Sequence, residues 1–253
     1  MTSTTINAVQ PTRTPVAEHA AELRALYQQA DFTPPIWTDP SDVGYLCVTL
    51  IERSIALLSK ELNGELLDVG CGRQPYESYF RHVARKQACD FDSKRGQVDF
   101  ECPAHRIPLP DQSLDSILCT EVLEHVPDPL AVWREFHRLL RPGGKVLLAT
   151  PMYWPPHEEP YDFYRYPEFG LRYFTRESGF EIVRLIPRGG PWAFFGQVGL
   201  HVMPHIIRFR WMRRLWNKFF LGFDGWRCSG RLTMGWTVLA RKLATPASSK
   251  PLS

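Results

Sequence analysis

From residue 65 onward the chain alternates short apolar runs with segments of helical periodicity, and this alternation restricts the fold more than any other feature. Seven runs have the length and apolar content of strands: GELLDVG, QACDF, VDFEC, SLDSILCTEV, KVLLATP, FEIVRLI and MGWTVLARK. Strands that alternate with helices are typical of a mostly parallel sheet whose right-handed crossovers place helices on both faces. The sequence therefore predicts an α/β fold with a doubly wound sheet.

Caps and breakers predict the helices that lie between these strands. Apolar residues spaced three and four apart over 43–58 predict a helix that a cap at Ser41 or Asp42 begins. A further helix is predicted from Pro75, because proline is tolerated in a first helical turn. Another begins at Asp128-Pro129, and its apolar side chains share one stripe. The segment PEFGLRYFTRESG predicts a helix before the sixth strand.

Three parts are predicted along the chain. Residues 1–40 form an N-terminal tail with a short helix, residues 41–242 form the main domain, and residues 243–253 form a C-terminal tail. With 44% apolar and 23% charged residues, the chain has a globular composition, which excludes a disordered chain and a coiled coil. Six scattered cysteines without a CxxC pair, and an N-terminus without an apolar signal segment, favour a reduced, cytoplasmic protein.

A basic, aromatic insert at 187–232 separates the last two predicted strands. From Arg184 to Lys242 there are eleven basic residues against one acidic residue, although the net charge of the whole chain is only +3. The favoured interpretation is a small helical cap over the active site. A second is an interfacial element that meets an anionic membrane or a lipid-linked substrate. The least favoured interpretation is a binding surface for single-stranded nucleic acid.

The first strand ends in the run Asp68-Val69-Gly70-Cys71-Gly72, the first signal of a ligand site. Glycines at this point let a ligand approach the backbone, and a helix after them presents free N–H groups. Asp90 follows eighteen residues after Gly72, at the end of the second strand. A carboxylate there can accept hydrogen bonds from both hydroxyls of a ribose. These features fit any Rossmann-like nucleotide binder, but no third glycine follows Gly72, which disfavours NAD and FAD.

Four motifs in a fixed order resemble one family. The set LLDVGCG, Asp90, IPLPDQSLDSILCTEVLEHVPDP and LLRPGGKVLLATP is similar to the class I S-adenosylmethionine-dependent methyltransferases, within them to the branch called methyltransferase type 11. The resemblance covers roughly residues 65–186 and the last strand. It implies a Rossmann-like sheet of seven strands whose last strand runs antiparallel. It also implies S-adenosylmethionine as the cofactor and a methyltransferase domain over 41–242.

The resemblance implies roles for individual residues as well. The resemblance places Asp68, Gly70 and Gly72 in a loop around the methionine part of the cofactor, and Asp90 at the ribose. It places Ala104 at the adenine, and Thr120 and Glu121 at the methionine end. Family members commonly carry an aspartate just before the adenine contact. This chain has Pro103 there, so a backbone contact from Ala104 is implied.

The segment Pro151–Tyr166 follows the fifth strand, at the edge where a doubly wound sheet places its ligands. His157 is the predicted general base for a hydroxyl acceptor, with Glu158 or Asp162 as its orienting partner or as an acceptor of a sugar hydroxyl. Four further side chains are predicted to bind substrate, namely Tyr153, Trp154, Tyr161 and Arg165. His125 is interpreted as a packed histidine. No metal is expected, although the histidine and carboxylates of this loop could ligate one.

The predicted function is methyl transfer from S-adenosylmethionine to a hydroxyl of a glycan precursor or a small secondary metabolite. The stretch HEEPYDFYRY suggests this acceptor because it resembles methyltransferases found beside sugar and polysaccharide genes. The predicted partner is that small-molecule or glycan acceptor. An anionic membrane is an alternative partner that would make the protein peripheral to the membrane, and nucleic acid is disfavoured. The alternative functions are an RNA methyltransferase, a non-catalytic Rossmann-like binding or membrane-docking protein, and a dehydrogenase.

Overall fold

A seven-stranded sheet forms the centre of the computed structural model, which describes residues 38–224 and 232–244. The strands are β1 (Glu65–Val69), β2 (Arg85–Asp90), β3 (Phe100–Glu101), β4 (Leu114–Thr120), β5 (Leu140–Pro151), β6 (Phe180–Arg188) and β7 (Gly235–Lys242). Their order is β3-β2-β1-β4-β5-β7-β6. Only β7 is antiparallel to the others in this sheet, between β5 and β6. This topology confirms the predicted Rossmann-like fold with an antiparallel last strand.

Helices cover both faces of the sheet, as predicted. They are α1 (Tyr45–Leu58), α2 (Pro129–Leu139), α3 (Glu168–Glu177), α4 (Pro191–Val202) and α5 (Arg210–Asp224). Side chains of β5 alternate between two apolar layers. Val146 and Leu148 pack in one layer with Trp133 of α2, while Leu147 packs in the other with Leu50 of α1. The alternation follows from the two-residue period of a strand.

Local signals located some helices correctly and others wrongly. Helix α2 begins as predicted, because the Asp128 carboxylate accepts a hydrogen bond from the Ala131 N–H at 3.1 Å. The cap predicted for the first helix is wrong, since α1 starts after Gly44 without a side-chain cap. Ser41 belongs instead to a preceding turn, in which its N–H donates to the Asp39 carboxylate at 2.7 Å.

The helix predicted from Pro75 is also wrong. The structure has a single 3₁₀ turn there, Glu77–Phe80, with backbone hydrogen bonds three residues apart. Tyr76 and Phe80 are buried in the apolar layer beside α1. The chain is therefore held by these two aromatic anchors, and no α-helix follows the glycine loop to present free N–H groups to a ligand.

The insert is helical, as predicted, and consists of α4 and α5 with the short connection between them. None of the helices within the described residues has both the length and the apolar character needed to cross a membrane. The predicted N-terminal tail with its short helix lies outside the described residues up to position 37. Positions 225–231 of the insert and 245–253 of the C-terminal tail also lie outside them.

Candidate active site

The carboxyl ends of four neighbouring parallel strands bring the candidate residues to one edge of the sheet. Strand β1 ends at the glycine loop, β2 at Asp90, β4 at Thr120 and β5 at Pro151. Ligands of doubly wound sheets bind at this edge, because the loops there diverge from a rigid base.

The glycine loop after β1 turns sharply and exposes bare backbone. Gly70 and Gly72 have positive φ angles of 66° and 50°, which favour glycine. The Gly70 N–H donates to the Cys89 carbonyl at 2.8 Å, so the loop is tied to β2. A Cβ atom built on Gly72 would meet no atom within 4 Å. Gly72 is therefore open on the side where a side chain would lie, and a ligand can approach its Cα there, while its carbonyl packs against Gly96.

The Asp90 carboxylate is fixed in place beside this loop. Its Oδ2 accepts a hydrogen bond from the Gly72 N–H at 3.0 Å, and its Oδ1 accepts one from the Asp92 N–H at 3.2 Å. Each carboxylate oxygen can accept a second hydrogen bond. Asp90 is thus oriented by the backbone and keeps acceptor capacity for hydroxyl donors.

Asp68 lies on β1 just before the glycine loop and is almost fully buried. Burial raises the pKa of its carboxyl to about 7, and the Asp90 charge adds to this, while the Lys86 ammonium opposes it. The Lys86 Nζ lies 3.8 Å from Asp68 Oδ2. Asp68 is therefore a buried carboxyl close to the glycine loop in sequence, and its charge depends on pH near neutrality.

Glu121 follows β4 with a positive φ of 53° and forms an ion pair with a buried arginine. The Arg188 Nη2 atom lies 2.8 Å from Glu121 Oε1 and donates to the Thr150 carbonyl at 2.5 Å. Arg188 has no solvent exposure. A Cβ atom at Gly235 of β7 would lie 2.0 Å from Arg188 Nη2, so only glycine there admits the guanidinium. Arg188 is a positioning residue for Glu121, and no motif in the sequence predicts this pair.

Three side chains from two loops meet next to Glu121. Glu124 and His125 lie in the turn after β4, and His157 lies in the loop after β5. One ligand-type atom of each lies within 4.8 Å of the other two, and the two imidazole rings stack edge-on with centroids 4.7 Å apart. Glu124 is fully buried. Burial raises the pKa of its carboxyl well above its usual value, and the nearby Glu121 adds to this shift.

The loop 151–166 is braced internally by one arginine. The Arg165 guanidinium forms a bidentate pair with Asp162, with N–O distances of 2.6 and 2.9 Å, and also donates to three backbone carbonyls of the loop. Together these hydrogen bonds use every N–H group of the Arg165 guanidinium. The pair holds the pKa of the Asp162 carboxyl well below its usual range. Arg165 therefore braces its own loop, and its predicted contact with substrate stays a prediction.

His157 is oriented by this braced loop. Its backbone N–H donates to Asp162 Oδ2 at 3.0 Å, and its Nδ1 lies 3.5 Å from the same oxygen and 3.3 Å from the Pro155 carbonyl. Asp162 thus lies where an orienting partner of His157 is expected. Glu158 is exposed and has a positive φ of 56°.

The predicted substrate-binding aromatics divide into two groups. Tyr153 and Trp154 are half-buried beneath α4, where Tyr153 Oη lies 3.3 Å from His201 Nδ1 and the Trp154 ring lies 5.0 Å from the His201 ring. Tyr161 is exposed, and its carbonyl accepts a hydrogen bond from His125 Nδ1 at 2.6 Å. The helical insert therefore covers Tyr153 and Trp154 and leaves Tyr161 at the open side.

A comparison with models of protein families identifies the family to which this chain belongs. The model of a family described as a methyltransferase domain matches residues 42–184, which is more than half of the chain. The chain belongs to this methyltransferase family. Family membership confirms the predicted enzyme class and the predicted cofactor, S-adenosylmethionine, at the level of the family.

Curated relatives of this methyltransferase are O-methyltransferases by name. A ubiquinone biosynthesis O-methyltransferase of Xanthomonas oryzae pv. oryzae strain PXO99A is 34% identical over 139 residues, which is 49% of this chain and 52% of the relative. The chain thus spans about half the length of the curated relatives it matches. The similarity supports the family and leaves the reaction of the whole protein to be proposed.

Solved structures share the fold of this methyltransferase at low identity. The [4+2]-cyclase SpnF matches with a TM-score of 0.55 and 17% identity, covering 91% of this chain and 93% of its own. A geranyl diphosphate methyltransferase solved in complex with SAM matches with a TM-score of 0.52 and 15% identity, covering 81% of this chain and 93% of its own. These likenesses confirm the fold.

The residues of the methyltransferase fit the cofactor that the family implies. The open space at Gly72 and the oriented Asp90 carboxylate lie together, as a nucleoside with a ribose requires. Ala104 is half-buried against the core, and Thr120 is half-buried at the end of β4. The cofactor roles predicted for these residues and for Asp68, Gly70 and Glu121 stay predictions.

No local feature of the sequence predicts a role for Glu124. It lies in the stretch Leu123-Glu124-His125, in which the sequence draws attention to the histidine. Nothing in the sequence around Glu124 indicates that its carboxylate is buried against His157, thirty-three residues further along. Burial without a local partner is a tertiary property, so no local signal distinguishes Glu124 from an ordinary surface glutamate.

Proposed function

We propose that this methyltransferase transfers a methyl group from S-adenosylmethionine to a hydroxyl oxygen of a small-molecule acceptor. The observation that carries the proposal is the juxtaposition of open backbone at Gly72 with the backbone-held Asp90 carboxylate. The curated relatives, which are O-methyltransferases by name, support oxygen as the acceptor atom. A glycan precursor or a secondary metabolite stays the proposed class of acceptor.

The chain contributes alignment, exclusion of water and a proton acceptor. When bound, S-adenosylmethionine supplies a methyl group on a positively charged sulfur, which needs no further activation. Asp90 and the glycine loop hold the nucleoside, so the reaction becomes effectively intramolecular, an effect of roughly 7–11 kcal/mol. Tyr153 and Trp154 beneath α4 exclude water from the acceptor side.

His157 is the proposed proton acceptor for the hydroxyl. A carbonyl oxygen only accepts hydrogen bonds, so the contact with the Pro155 carbonyl puts the proton of a neutral imidazole on Nδ1. The Nε2 lone pair is then available to take the acceptor proton. The acceptor oxygen forms its bond to the methyl carbon as the carbon–sulfur bond breaks, and S-adenosylhomocysteine leaves.

The test of this proposal separates methyl transfer from mere binding. Purified protein is incubated with S-adenosylmethionine and a panel of phenols, catechols and sugars, and S-adenosylhomocysteine and the methylated product are measured by mass spectrometry. We expect product with at least one hydroxylated acceptor. Binding without product across the panel would favour a non-catalytic protein, an outcome to be tested because the fold neighbour SpnF is a cyclase by title.

The Asp90→Ala variant checks the cofactor site by calorimetry. We expect at least ~10-fold weaker binding of S-adenosylmethionine, because charge-assisted hydrogen bonds of about 1.5–3 kcal/mol are lost. The matched control is Asp92→Ala, whose side chain accepts a local bond from the Lys94 N–H. An Asp90→Ala affinity equal to that of the unmodified protein would remove Asp90 from the cofactor site.

We further propose that the insert docks this enzyme on an anionic membrane surface. Helix α5 presents large apolar side chains every four residues, each more than one-third exposed: Trp211, Leu215, Phe219 and Phe223. The same helix carries Arg210, Arg213, Arg214 and Lys218. An exposed apolar stripe flanked by basic residues is typical of helices that lie in a membrane interface. Such a surface would bring a lipophilic or lipid-linked acceptor to the enzyme on the cytoplasmic side.

A further inference from the structure

The cluster of Glu124, His125 and His157 has a donor set that the mechanism above uses only in part. Two imidazoles and one carboxylate are the ligand types that bind first-row transition metal ions. Their candidate ligand atoms lie within 4.8 Å of one another, and His125 Nε2 lies 3.8 Å from Glu124 Oε1. Ligands about 2.1 Å from one shared ion lie roughly 3–3.4 Å apart, so small side-chain rotations close the cluster.

Both histidines are held in the tautomer that a metal ligand needs. His125 Nδ1 donates to the Tyr161 carbonyl at 2.6 Å, which leaves a lone pair on its Nε2. His157 Nδ1 faces the Pro155 carbonyl and the Asp162 carboxylate, with the same consequence for its own Nε2. Metal-binding histidines commonly donate their other N–H to a carbonyl or a carboxylate in this way.

Glu124 supplies an independent observation that points to a cation. It has no solvent exposure, and neither of its carboxylate oxygens has a hydrogen-bond partner among the residues that the structure describes. An unpaired buried carboxylate is costly, and buried charges in proteins are paired or coordinate metals. The backbone carbonyl of Glu124 accepts a bond from the Phe163 N–H at 2.8 Å, which ties its turn to the loop of His157.

We propose that Glu124, His125 and His157 bind one divalent first-row transition metal cation beside the methyl acceptor. This inference rests on the proposed function for its chemical role. A cation at this place would coordinate the acceptor oxygen and lower the pKa of the hydroxyl. The hydroxyl proton would then pass to solvent, because the Nε2 lone pair of His157 is engaged by the cation. The oxygen attacks the methyl carbon as before.

The experiment uses Mn²⁺ as the probe and the full chain after treatment with EDTA and desalting. Electron paramagnetic resonance of a Mn²⁺ titration reports free and bound ion, and pulsed measurements detect coupling to imidazole nitrogen. We expect saturable binding of about one Mn²⁺ per chain with nitrogen coupling, and displacement by Zn²⁺. Absence of saturable binding, or binding without nitrogen coupling, would overturn the proposal.

Two variants and a matched control assign the site. Glu124→Gln keeps the shape of the side chain and should weaken Mn²⁺ binding at least ~10-fold. His157→Asn, from a half-exposed position, should do the same and serves if Glu124→Gln does not fold. Glu159→Gln, an exposed change in the same loop, should leave the affinity unaltered. Unaltered binding in both folded site variants would show that the ion lies elsewhere and would contradict the assignment.

The same preparations distinguish this inference from the proposed methyl transfer. Product formation that stops in EDTA and returns with Mn²⁺ or Zn²⁺ supports the role of the cation. Product formation at full rate in EDTA overturns that role and leaves His157 as the base. Specific Mn²⁺ binding without product for any acceptor supports the metal site and contradicts the proposed function.

Discussion

Asp68 shows how burial sets the chemistry of a single residue. It lies on β1 just before the glycine loop, and burial raises the pKa of its carboxyl to about 7 although the Lys86 Nζ is only 3.8 Å away. In the unfolded chain an aspartate has a pKa of about 3.9. The folded protein therefore holds a proton on Asp68 between these two pH values that the unfolded chain has released.

This difference predicts a stability change with pH that Asp68→Asn should remove. The pKa of Asp68 is higher in the folded protein than in the unfolded chain. Its contribution to the free energy of unfolding is therefore fully present below about pH 4 and is lost as the pH rises through about 7. We expect the free energy of unfolding of the unmodified protein to fall between pH 5 and pH 8 by about 1–3 kcal/mol more than that of Asp68→Asn. Urea denaturation at the two pH values measures it.

The matched control for Asp68 is Asp42→Asn, at an exposed position in the turn before α1. This variant should retain the pH dependence of the unmodified chain. An identical decline in Asp68→Asn would show that Asp68 is charged in the folded protein across the whole range.

At the scale of elements, the two helices of the insert depend on each other. The N-terminus of α4 has no cap from its own sequence, because Gly190 precedes it. Asp224, at the end of α5, supplies the cap for α4. Its Oδ1 accepts bonds from the Gly190 N–H at 2.8 Å and the Ala193 N–H at 2.9 Å. One buried carboxylate thus satisfies two backbone donors at a helix start.

Loss of this tertiary cap should destabilise the insert. We expect Asp224→Ala to lower the free energy of unfolding by about 1–3 kcal/mol, because two buried N–H groups lose their acceptor. Asp224→Asn keeps an acceptor oxygen of the same shape and should recover most of the loss. Urea denaturation of the three proteins measures the effect, and an Asp224→Ala variant as stable as the unmodified chain would contradict the capping role.

Local sequence signals predicted some elements and failed for others for a physical reason. Helix α2 was predictable, because its Asp128 cap and its apolar stripe lie within one continuous segment. The segment after Pro75 was not, because Tyr76 and Phe80 are buried against α1 rather than along one face of a helix. Propensity describes the isolated segment, and tertiary packing overrides it when large side chains gain burial elsewhere.

At the scale of the whole molecule, the exposed apolar side chains concentrate on the insert. One side of α5 packs on the rest of the chain, where Trp216 Nε1 donates to the Gly196 carbonyl at 2.8 Å and Asn217 donates to the Pro40 carbonyl at 2.8 Å. The other side, with Trp211 and Leu215, borders a shallow apolar groove of about 410 Å³. This exposed apolar face is the one on which the proposed membrane docking depends.

Vesicle binding tests that face. The unmodified protein should sediment with vesicles that contain phosphatidylglycerol and less with pure phosphatidylcholine, because basic residues near an anionic surface contribute about 1 kcal/mol each. Combined Trp211→Ser, Leu215→Ser and Phe219→Ser changes should abolish sedimentation. The control is Phe169→Ser with Tyr173→Ser, which removes exposed aromatics of α3. Equal sedimentation of both variants, or none for the unmodified chain, would contradict membrane docking.

The sequence by itself determined the order of strands and helices, the glycine loop and the aspartate that follows it, because these depend on residues close together in the chain. Only the tertiary structure decided that Arg188 pairs with Glu121, that Arg165 braces its own loop, and that Glu124 meets His157. These outcomes depend on which loops the sheet brings to one edge and which polar groups it seals from water. Spacing along the chain contains neither piece of information.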